Sequence, residues 1–138
     1  ELGCGPGDPT TRTLAENFNV TANDISSSCL ELAKKHAPSA TLIQSDMTSL
    51  EFPGDSFDAV VAFYSFHHVP RERYQPLLND IASWLRPGGK FIQFTYGPRA
   101  PLMDETLERL GLTASLGSRK IWLNFPPAQV YILKRKGE

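Results

Sequence analysis

The chain has 138 residues, of which 41% are hydrophobic, and its 14 Lys and Arg nearly balance 15 Asp and Glu to a formal net charge of -1. This length suits one soluble domain with an apolar core, so we expect a single domain over residues 1–138. A net charge near zero gives no general attraction to nucleic acid or to an anionic membrane. Because the only cysteines are Cys4 and Cys29, we expect free thiols and a reducing, cytoplasmic location.

The first predicted element is a turn in "ELGCGPGDPT", where Gly3, Gly5 and Gly7 stand at alternate positions. Glycines allow a sharp turn after a strand, leave no Cβ in the way of a ligand, and expose backbone amides at the start of a helix. The dinucleotide pattern GxGxxG requires a glycine where this chain has Asp8. The turn therefore disfavours NAD, because a carboxylate is a poor neighbour for a pyrophosphate. A ligand that carries an amino group and a sulfonium would tolerate this aspartate, and a tight connection without a ligand is the alternative.

Beyond the turn, short apolar runs alternate with amphipathic stretches, which predicts an α/β fold. We expect a helix capped by Thr10 or Thr11 that runs to about Phe18, and then a strand in "NVTAND" that ends at Asp24. The serines of "ISSSC" offer caps for a second helix, which Pro38 ends. Two further strands are predicted in "ATLIQSD" and "FDAVVAFY".

The second half continues the alternation. An apolar repeat predicts a helix over 74–85, which "RPGG" ends, and the next strand is expected in "KFIQFTY". A last helix is expected over 102–110. The segments "KIWLNF" and "QVYILKRK" are predicted to pair as an antiparallel hairpin at one edge of the sheet, with Trp122 and Tyr131 supplying local burial.

Acidic residues follow two of the predicted strands. Asp24 lies about twenty residues after the glycine turn, where a carboxylate can accept hydrogen bonds from both hydroxyls of a ribose. Asp46 ends the next strand and is placed to accept from the exocyclic amine of an adenine, with Met47 along the ring. Either aspartate alone is more often a cap or a turn residue. One glycine-rich and two acidic strand ends in succession instead indicate a ligand site, because open α/β sheets bind ligands at the carboxyl ends of their strands.

Four stretches resemble the class I S-adenosylmethionine-dependent methyltransferases in order and spacing: "ELGCGPG", "VTANDIS", "LIQSDMTSLEFPGDSFDAVVAFYSFHHVP" and "WLRPGGKFI". The resemblance implies a Rossmann-like, mostly parallel sheet and S-adenosylmethionine as cofactor. Members of this family have a hydrophobic strand before the glycine turn, where this chain has only Glu1 and Leu2. We therefore expect an N-terminally truncated chain whose first strand is largely missing.

The same resemblance implies residue roles. The turn would hold the methionyl part of the cofactor, the end of the next strand its ribose, the end of the third strand its adenine, and the segment after the fourth strand would lie beside the reactive methyl. The implied cofactor-binding residues are Glu1, Gly3, Gly5 and Gly7 for the methionyl part, and Asp24 and Ile25 for the ribose end. They are Asp46 and Met47 for the adenine, and Tyr64 beside the reactive methyl.

The last third, with "FIQFTYGPRAP" and "KIWLNFPPAQVY", resembles bacterial phospholipid N-methyltransferases. This implies phosphatidylethanolamine as the methyl acceptor. The Tyr96 hydroxyl would accept from the ethanolamine nitrogen while its ring attracts the methylated cation, and Arg99 would hold the phosphate. The alternative is that Tyr96 is a core aromatic residue at the strand end and that Arg99 is a solvated loop cation. The basic residues near Lys134 would add peripheral membrane contact. The middle segment "FYSFHHVPRERYQPLLNDIASWLRPGG" is more similar to small-molecule methyltransferases, so another small acceptor remains open.

For acid–base chemistry, His67 is the candidate that could deprotonate an acceptor near neutral pH. Adjacent residues leaving a strand tend to diverge, so we expect at most one of the two histidines to face the acceptor, with His67 favoured and a packing role for His68. We expect no metal site, because the sequence has no convincing ligand cluster. The alternatives are a non-catalytic cofactor-binding module of the same fold and a nicotinamide-dependent oxidoreductase. Nucleic acid is not an expected partner, since there is no basic stripe.

Overall fold

The computed structural model describes residues 1–96, 112–114, 119–121 and 128–135, and the chain divides into two compact units, Glu1–Leu50 and Glu51–Glu138. The first unit alternates helices and strands after the glycine turn. Its elements are α1 (Thr10–Ala15), β1 (Thr21–Asp24), α2 (Ser27–His36), β2 (Thr41–Gln44) and a 3-10 helix (Met47–Ser49).

The two strands of the first unit are parallel, in continuous register from Thr21 opposite Thr41 to Asp24 opposite Gln44. Before the turn, Leu2 forms one isolated parallel bridge with Asn23. The parallel α/β arrangement expected from the sequence is confirmed. Because β1 and β2 run the same way, the residues that follow both strands lie at the same edge of the pair.

The helix α2 begins and ends where its sequence predicts. The Ser26 side chain accepts a hydrogen bond from the amide of Cys29 at 3.3 Å, and the helix stops before Pro38. Its buried residues Leu30 and Ala33 form a small apolar cluster with Cys4 of the turn and Ala22 of β1.

The helix α1 differs from the prediction. It begins directly at Thr10, with Pro9 at the cap position and no capping side chain, and it ends at Ala15 rather than near Phe18. The cap assigned to Thr10 or Thr11 is therefore wrong. Thr11 is fully buried, and its hydroxyl donates a hydrogen bond to the Glu1 carboxylate at 2.6 Å. The role of Thr11 is therefore to bond Glu1 and not to cap the helix.

The described residues of the second unit form one helix of 14 residues and a five-stranded sheet. Its elements are β3 (Phe57–Phe63), a 3-10 helix (Phe66–His68), α3 (Arg71–Trp84), β4 (Leu85–Tyr96), β5 (Leu112–Ala114), β6 (Arg119–Ile121) and β7 (Ala128–Arg135). The sheet order is β3-β4-β7-β5, with β6 also paired to β7. The pair β3–β4 is parallel, and β7 is antiparallel to β4, β5 and β6.

The core of the second unit is aromatic and aliphatic. Phe66 packs against Phe91 of β4, with ring centroids 5.7 Å apart, and Phe52 makes edge contacts with Phe57 and Trp84. The buried face of α3 contains Leu77, Leu78, Ile81 and Trp84.

Two boundaries and one additional strand in this unit differ from the sequence expectations. The helix α3 begins at Arg71 and includes Pro76, whereas a start at residue 74 was expected. The segment "RPGG" does not separate helix from strand, because β4 begins at Leu85 and runs through it, with Gly88 at φ +81° and a register shift opposite 57–59. No strand was predicted for β5. The expected helix over 102–110 and Trp122 lie outside the described residues.

Among the described helices, none is long and apolar enough to cross a membrane.

Candidate cofactor site

The glycine turn adopts backbone angles that side chains disfavour, with φ of +69° at Gly3, +55° at Gly5 and +78° at Gly7. The surroundings of these glycines differ. A Cβ on Gly7 would lie 2.9 Å from both the Cα and the Cβ of Ala33, so Gly7 allows α2 to approach the turn. A Cβ on Gly5 would meet no atom within 4 Å. Gly5 therefore borders open space, which a ligand can fill.

The backbone amides of the turn are engaged within the protein. The amide of Gly5 donates to Oδ2 of Asp24 at 2.8 Å, and that of Gly3 donates to Oδ1 of Asn23 at 3.3 Å. The amide of Cys4 donates to the Asn23 carbonyl at 2.8 Å. These three amides are therefore not available to a ligand, because the end of β1 accepts their hydrogen bonds.

Asp24 is half-buried at the end of β1, and both of its carboxylate oxygens accept hydrogen bonds from backbone amides. Oδ2 accepts from Gly5, and Oδ1 accepts from Ser26 at 2.9 Å. A carboxylate has about four acceptor positions, so each oxygen keeps capacity for one more donor. The two amides fix the orientation of the carboxylate without saturating it.

Asp46 follows β2 and caps the 3-10 helix. Its Oδ1 accepts from the amide and the hydroxyl of Thr48, at 2.8 and 2.9 Å, while Oδ2 accepts from no described residue. Asp46 is exposed and the adjacent Met47 is half-buried. At the end of β1, Ile25 is 70% exposed, which is unusual for an isoleucine at a strand end. These side chains offer one carboxylate oxygen and apolar surface to a ligand.

Sequence reasoning missed Asn23, which joins three segments of this unit. Its side chain is buried, its Oδ1 accepts from Gly3, and its Nδ2 donates to the carbonyl of Ser45 at 2.9 Å. It thereby links the glycine turn, β1 and the residue after β2. The available signal was a polar residue at an interior strand position, directly before Asp24.

Glu1 lies beneath the turn and accepts from Thr11, as described above. Burial raises the pKa of the Glu1 carboxyl, against the opposing effect of the Thr11 hydrogen bond. The neighbouring thiol is affected more strongly. Burial, followed by the charges of Glu1 and Asp24, raises the pKa of Cys4 to about 12. Cys4 is therefore a neutral packing residue, and both cysteines are free thiols as expected.

In the second unit, Tyr64 follows β3 with a left-handed backbone, φ +56°, and its amide donates to the carbonyl of Phe94 at 3.2 Å. Phe63 and Tyr64 both lie against the Phe94 ring, with centroid distances of 4.9 and 5.8 Å. Tyr64 is 39% exposed. These three rings give the end of the β3–β4 pair a partly exposed aromatic surface.

The candidate base His67 lies on the 3-10 helix after β3 and is half-buried, whereas His68 is exposed. Their ring centroids are 3.9 Å apart, so the expectation that the two side chains diverge is wrong. The helical turn that follows Ser65 accounts for this difference, because it does not alternate side chains as a strand does. Tyr96 is the last residue of β4, opposite Ala128, and Arg99 lies outside the described residues.

Among the described residues, no group of three or more His, Cys, Asp or Glu side chains is arranged to hold a metal ion.

The fold is that of the S-adenosylmethionine-dependent methyltransferases. The methyltransferase of this class from Mesorhizobium loti superimposes with a TM-score of 0.83 and 19% identity, over 97% of this chain and 88% of that one. A family model described as a methyltransferase domain matches residues 1–89, and the chain belongs to that family. The expectations of a Rossmann-like fold and of membership in the S-adenosylmethionine-dependent methyltransferase family are thereby confirmed, while the antiparallel hairpin at one edge of the sheet stays a prediction.

Two relatives with named activities are similar in sequence. A fatty-acid O-methyltransferase of Mycolicibacterium smegmatis is 35% identical over 104 residues, which are 72% of this chain and 37% of that protein. A 27-O-demethylrifamycin SV methyltransferase of Amycolatopsis mediterranei is 35% identical over 97 residues, covering 65% and 35%. The match therefore spans little more than a third of the length of these relatives.

Proposed function

We propose that this chain binds S-adenosylmethionine on its first unit and serves methyl transfer to a small-molecule acceptor. The observation that carries the proposal is the pairing of Gly5 and Asp24: an open backbone surface stands beside a carboxylate that two amides hold in place. In this proposal the remaining acceptor positions of Asp24 take the two ribose hydroxyls of the cofactor.

The other residues around the turn fit the same ligand. The free oxygen of Asp46 would accept from the adenine amine, with Ile25 and Met47 along the faces of the ring. Asp24 places negative charge near the turn, which favours the cofactor's amino group and sulfonium over a pyrophosphate, whereas the charge of Asp8 is paired with Arg12 at 3.0 Å. Glu1, Gly3 and Gly7 would bind or position the methionyl part, and Tyr64 of the second unit is the remaining proposed cofactor residue.

Bound S-adenosylmethionine supplies an activated methyl group, so the protein's own residues have only to orient the acceptor and remove its proton. We propose His67 for the proton, because an imidazole can act as a base near neutral pH. Its place on the short helix directly after β3 supports that role. Tyr96, at the end of β4, is the proposed acceptor-binding residue.

For the acceptor we propose an amphipathic molecule. The partly exposed rings of Phe63, Tyr64 and Phe94 suit an acyl chain or another apolar body, and one similar relative is named for a fatty acid. Within this class the specific proposal is the amine of phosphatidylethanolamine, which rests on the resemblance of the last third of the chain. Arg99 would then hold the phosphate, with peripheral contact at a membrane surface.

The experiment has two stages. Calorimetry of the intact protein with S-adenosylhomocysteine, and of Asp24→Ala beside it, tests the cofactor site; unchanged affinity in a folded Asp24→Ala variant would refute the assignment. Labelled S-adenosylmethionine is then offered with phosphatidylethanolamine vesicles, a fatty acid, and a panel of small phenols and amines.

Transfer to the lipid that is lost in Tyr96→Ala supports the specific proposal. Label in the fatty acid or the small acceptors alone would end the phospholipid proposal and keep the methyltransferase. Cofactor binding without transfer to any acceptor would favour the non-catalytic binding module.

A further inference from the structure

We infer that His36 is a positioning residue, which holds the glycine turn in the conformation that the cofactor requires. This inference rests on the proposed cofactor site at the turn. His36 is the last residue of α2, and the sequence analysis gave it no role.

The contact that carries the inference joins His36 to the middle of the turn. Nδ1 of His36 lies 2.8 Å from the carbonyl oxygen of Pro6, 30 residues earlier in the chain. A carbonyl only accepts hydrogen bonds, so the imidazole donates through Nδ1–H. Pro6 has no amide hydrogen, and its carbonyl is therefore its only backbone group that can be fixed in this way.

The hydrogen bond acts on one peptide plane, the one between Pro6 and Gly7. At the other end of that plane, the amide of Gly7 donates to the carbonyl of Cys4 at 3.1 Å. Glycine adopts positive and negative φ with similar ease, so Gly7 by itself would let this plane rotate. Hydrogen bonds at both ends oppose the rotation. They hold the backbone that leads directly out of Gly5, the residue that borders the open space.

The helix α2 is a suitable support for this contact. Ala33 is buried against Gly7, and His36 follows Ala33 by one turn on the same side of the helix. Leu30 is also buried in the cluster beneath the turn. The helix thus contacts the turn twice, through packing at Gly7 and through a hydrogen bond at Pro6.

The test compares three variants of the intact protein at a temperature where all remain folded. His36→Ala removes the donor. His36→Asn restores one, because its side-chain nitrogen is separated from Cβ by the same number of bonds as Nδ1 of histidine. Lys35→Ala is the matched control, since Lys35 is an exposed neighbour in the same helical turn.

Calorimetry with S-adenosylhomocysteine should show affinity reduced about two- to tenfold in His36→Ala, the effect of one net hydrogen bond, and largely recovered in His36→Asn. Lys35→Ala should bind as the wild type does. Without cofactor, amide exchange at Gly7 should accelerate in His36→Ala and slow again in His36→Asn.

Two failures can be distinguished. If Asp24→Ala weakens binding and His36→Ala does not, the positioning role of His36 is overturned while the cofactor site stands. If Asp24→Ala also binds normally, the proposed site itself is wrong. Reduced affinity in His36→Ala without recovery in His36→Asn would likewise overturn the inference, because the hydrogen bond would then not be the cause.

Discussion

Gly7 and Ala33 are in such close contact that a Cβ on Gly7 would lie 2.9 Å from the Cα and Cβ of Ala33, whereas a Cβ on Gly5 would meet no atom within 4 Å. Both glycines have positive φ, so an alanine at either position carries similar backbone strain of about 1–2 kcal/mol. The difference between the two sites is therefore steric and measurable.

The first prediction is that Gly7→Ala lowers the free energy of unfolding by about 1–3 kcal/mol more than Gly5→Ala does, because only Gly7→Ala forces α2 away from the turn. Denaturant unfolding of both variants measures the difference. Gly5→Ala should keep the fold and lose affinity for S-adenosylhomocysteine, since its methyl group enters the proposed ligand space. Equal destabilisation by the two substitutions would contradict the packing role of Gly7.

The second prediction concerns Asn23. Asn23→Ala leaves the amide of Gly3 and the carbonyl of Ser45 without this partner, so the free energy of unfolding should fall by about 1–3 kcal/mol. Asn19→Ala is the control, because Asn19 is exposed and should change stability by no more than about 0.5 kcal/mol. Urea unfolding compares the two. A similar small effect in both would show that Asn23 does not hold the turn.

The third prediction uses the pKa of Cys4, which rises from 9.0 to about 12 in the folded protein. Between these values the folded state keeps a proton that the unfolded chain has lost, so stability falls as the pH rises through this window. Cys4→Ala should make the alkaline decline of unfolding free energy shallower. The measurement compares the slopes of unfolding free energy against pH in the wild type and in Cys4→Ala, because the substitution also changes packing at every pH.

Labelling gives an independent check on the thiols. Cys4 is buried and keeps its proton, while Cys29 is only half-buried. Iodoacetamide at mildly alkaline pH should therefore modify Cys29 in the folded protein and reach Cys4 only after denaturation. Early modification of Cys4 would show that its environment is open.

The fourth prediction concerns Gln93, whose side chain is 1% exposed and whose Oε1 accepts from no described residue. An unsatisfied buried oxygen costs stability, so Gln93→Met should leave the free energy of unfolding unchanged or raise it by about 1 kcal/mol. Thermal and denaturant unfolding measure this. A loss of about 2 kcal/mol or more would mean that the amide is satisfied and stabilising.

The sequence predicted elements that depend on local chemistry. The cap at Ser26 and the strand end at Asp24 follow from neighbouring residues, so their positions were predictable. The start of β4 at Leu85 was not, because pairing with Phe57 of β3 extends the strand through a proline and two glycines. Long-range pairing overrides local turn propensity there.

The candidate site was also predictable only where local sequence determines it. Acidic residues after strands were recognisable from spacing, and the site residues proposed from them remain predictions. The supports of the turn were not recognisable, because Asn23 reaches Ser45 across 22 positions and His36 reaches Pro6 across 30. Such partners become adjacent only when the parallel strands and α2 assemble.

The position of β7 has a consequence for the order in which this protein can fold during synthesis. β7 (Ala128–Arg135) is the last described strand in the chain, but it lies inside the sheet. It pairs with β4 on one side and with β5 and β6 on the other. While a ribosome is still adding these residues, the backbone amides and carbonyls of β4 that face β7 have no strand to pair with. An unpaired strand edge readily joins another chain. A nascent chain that ends before residue 128 should therefore expose this edge of β4 and be prone to aggregation.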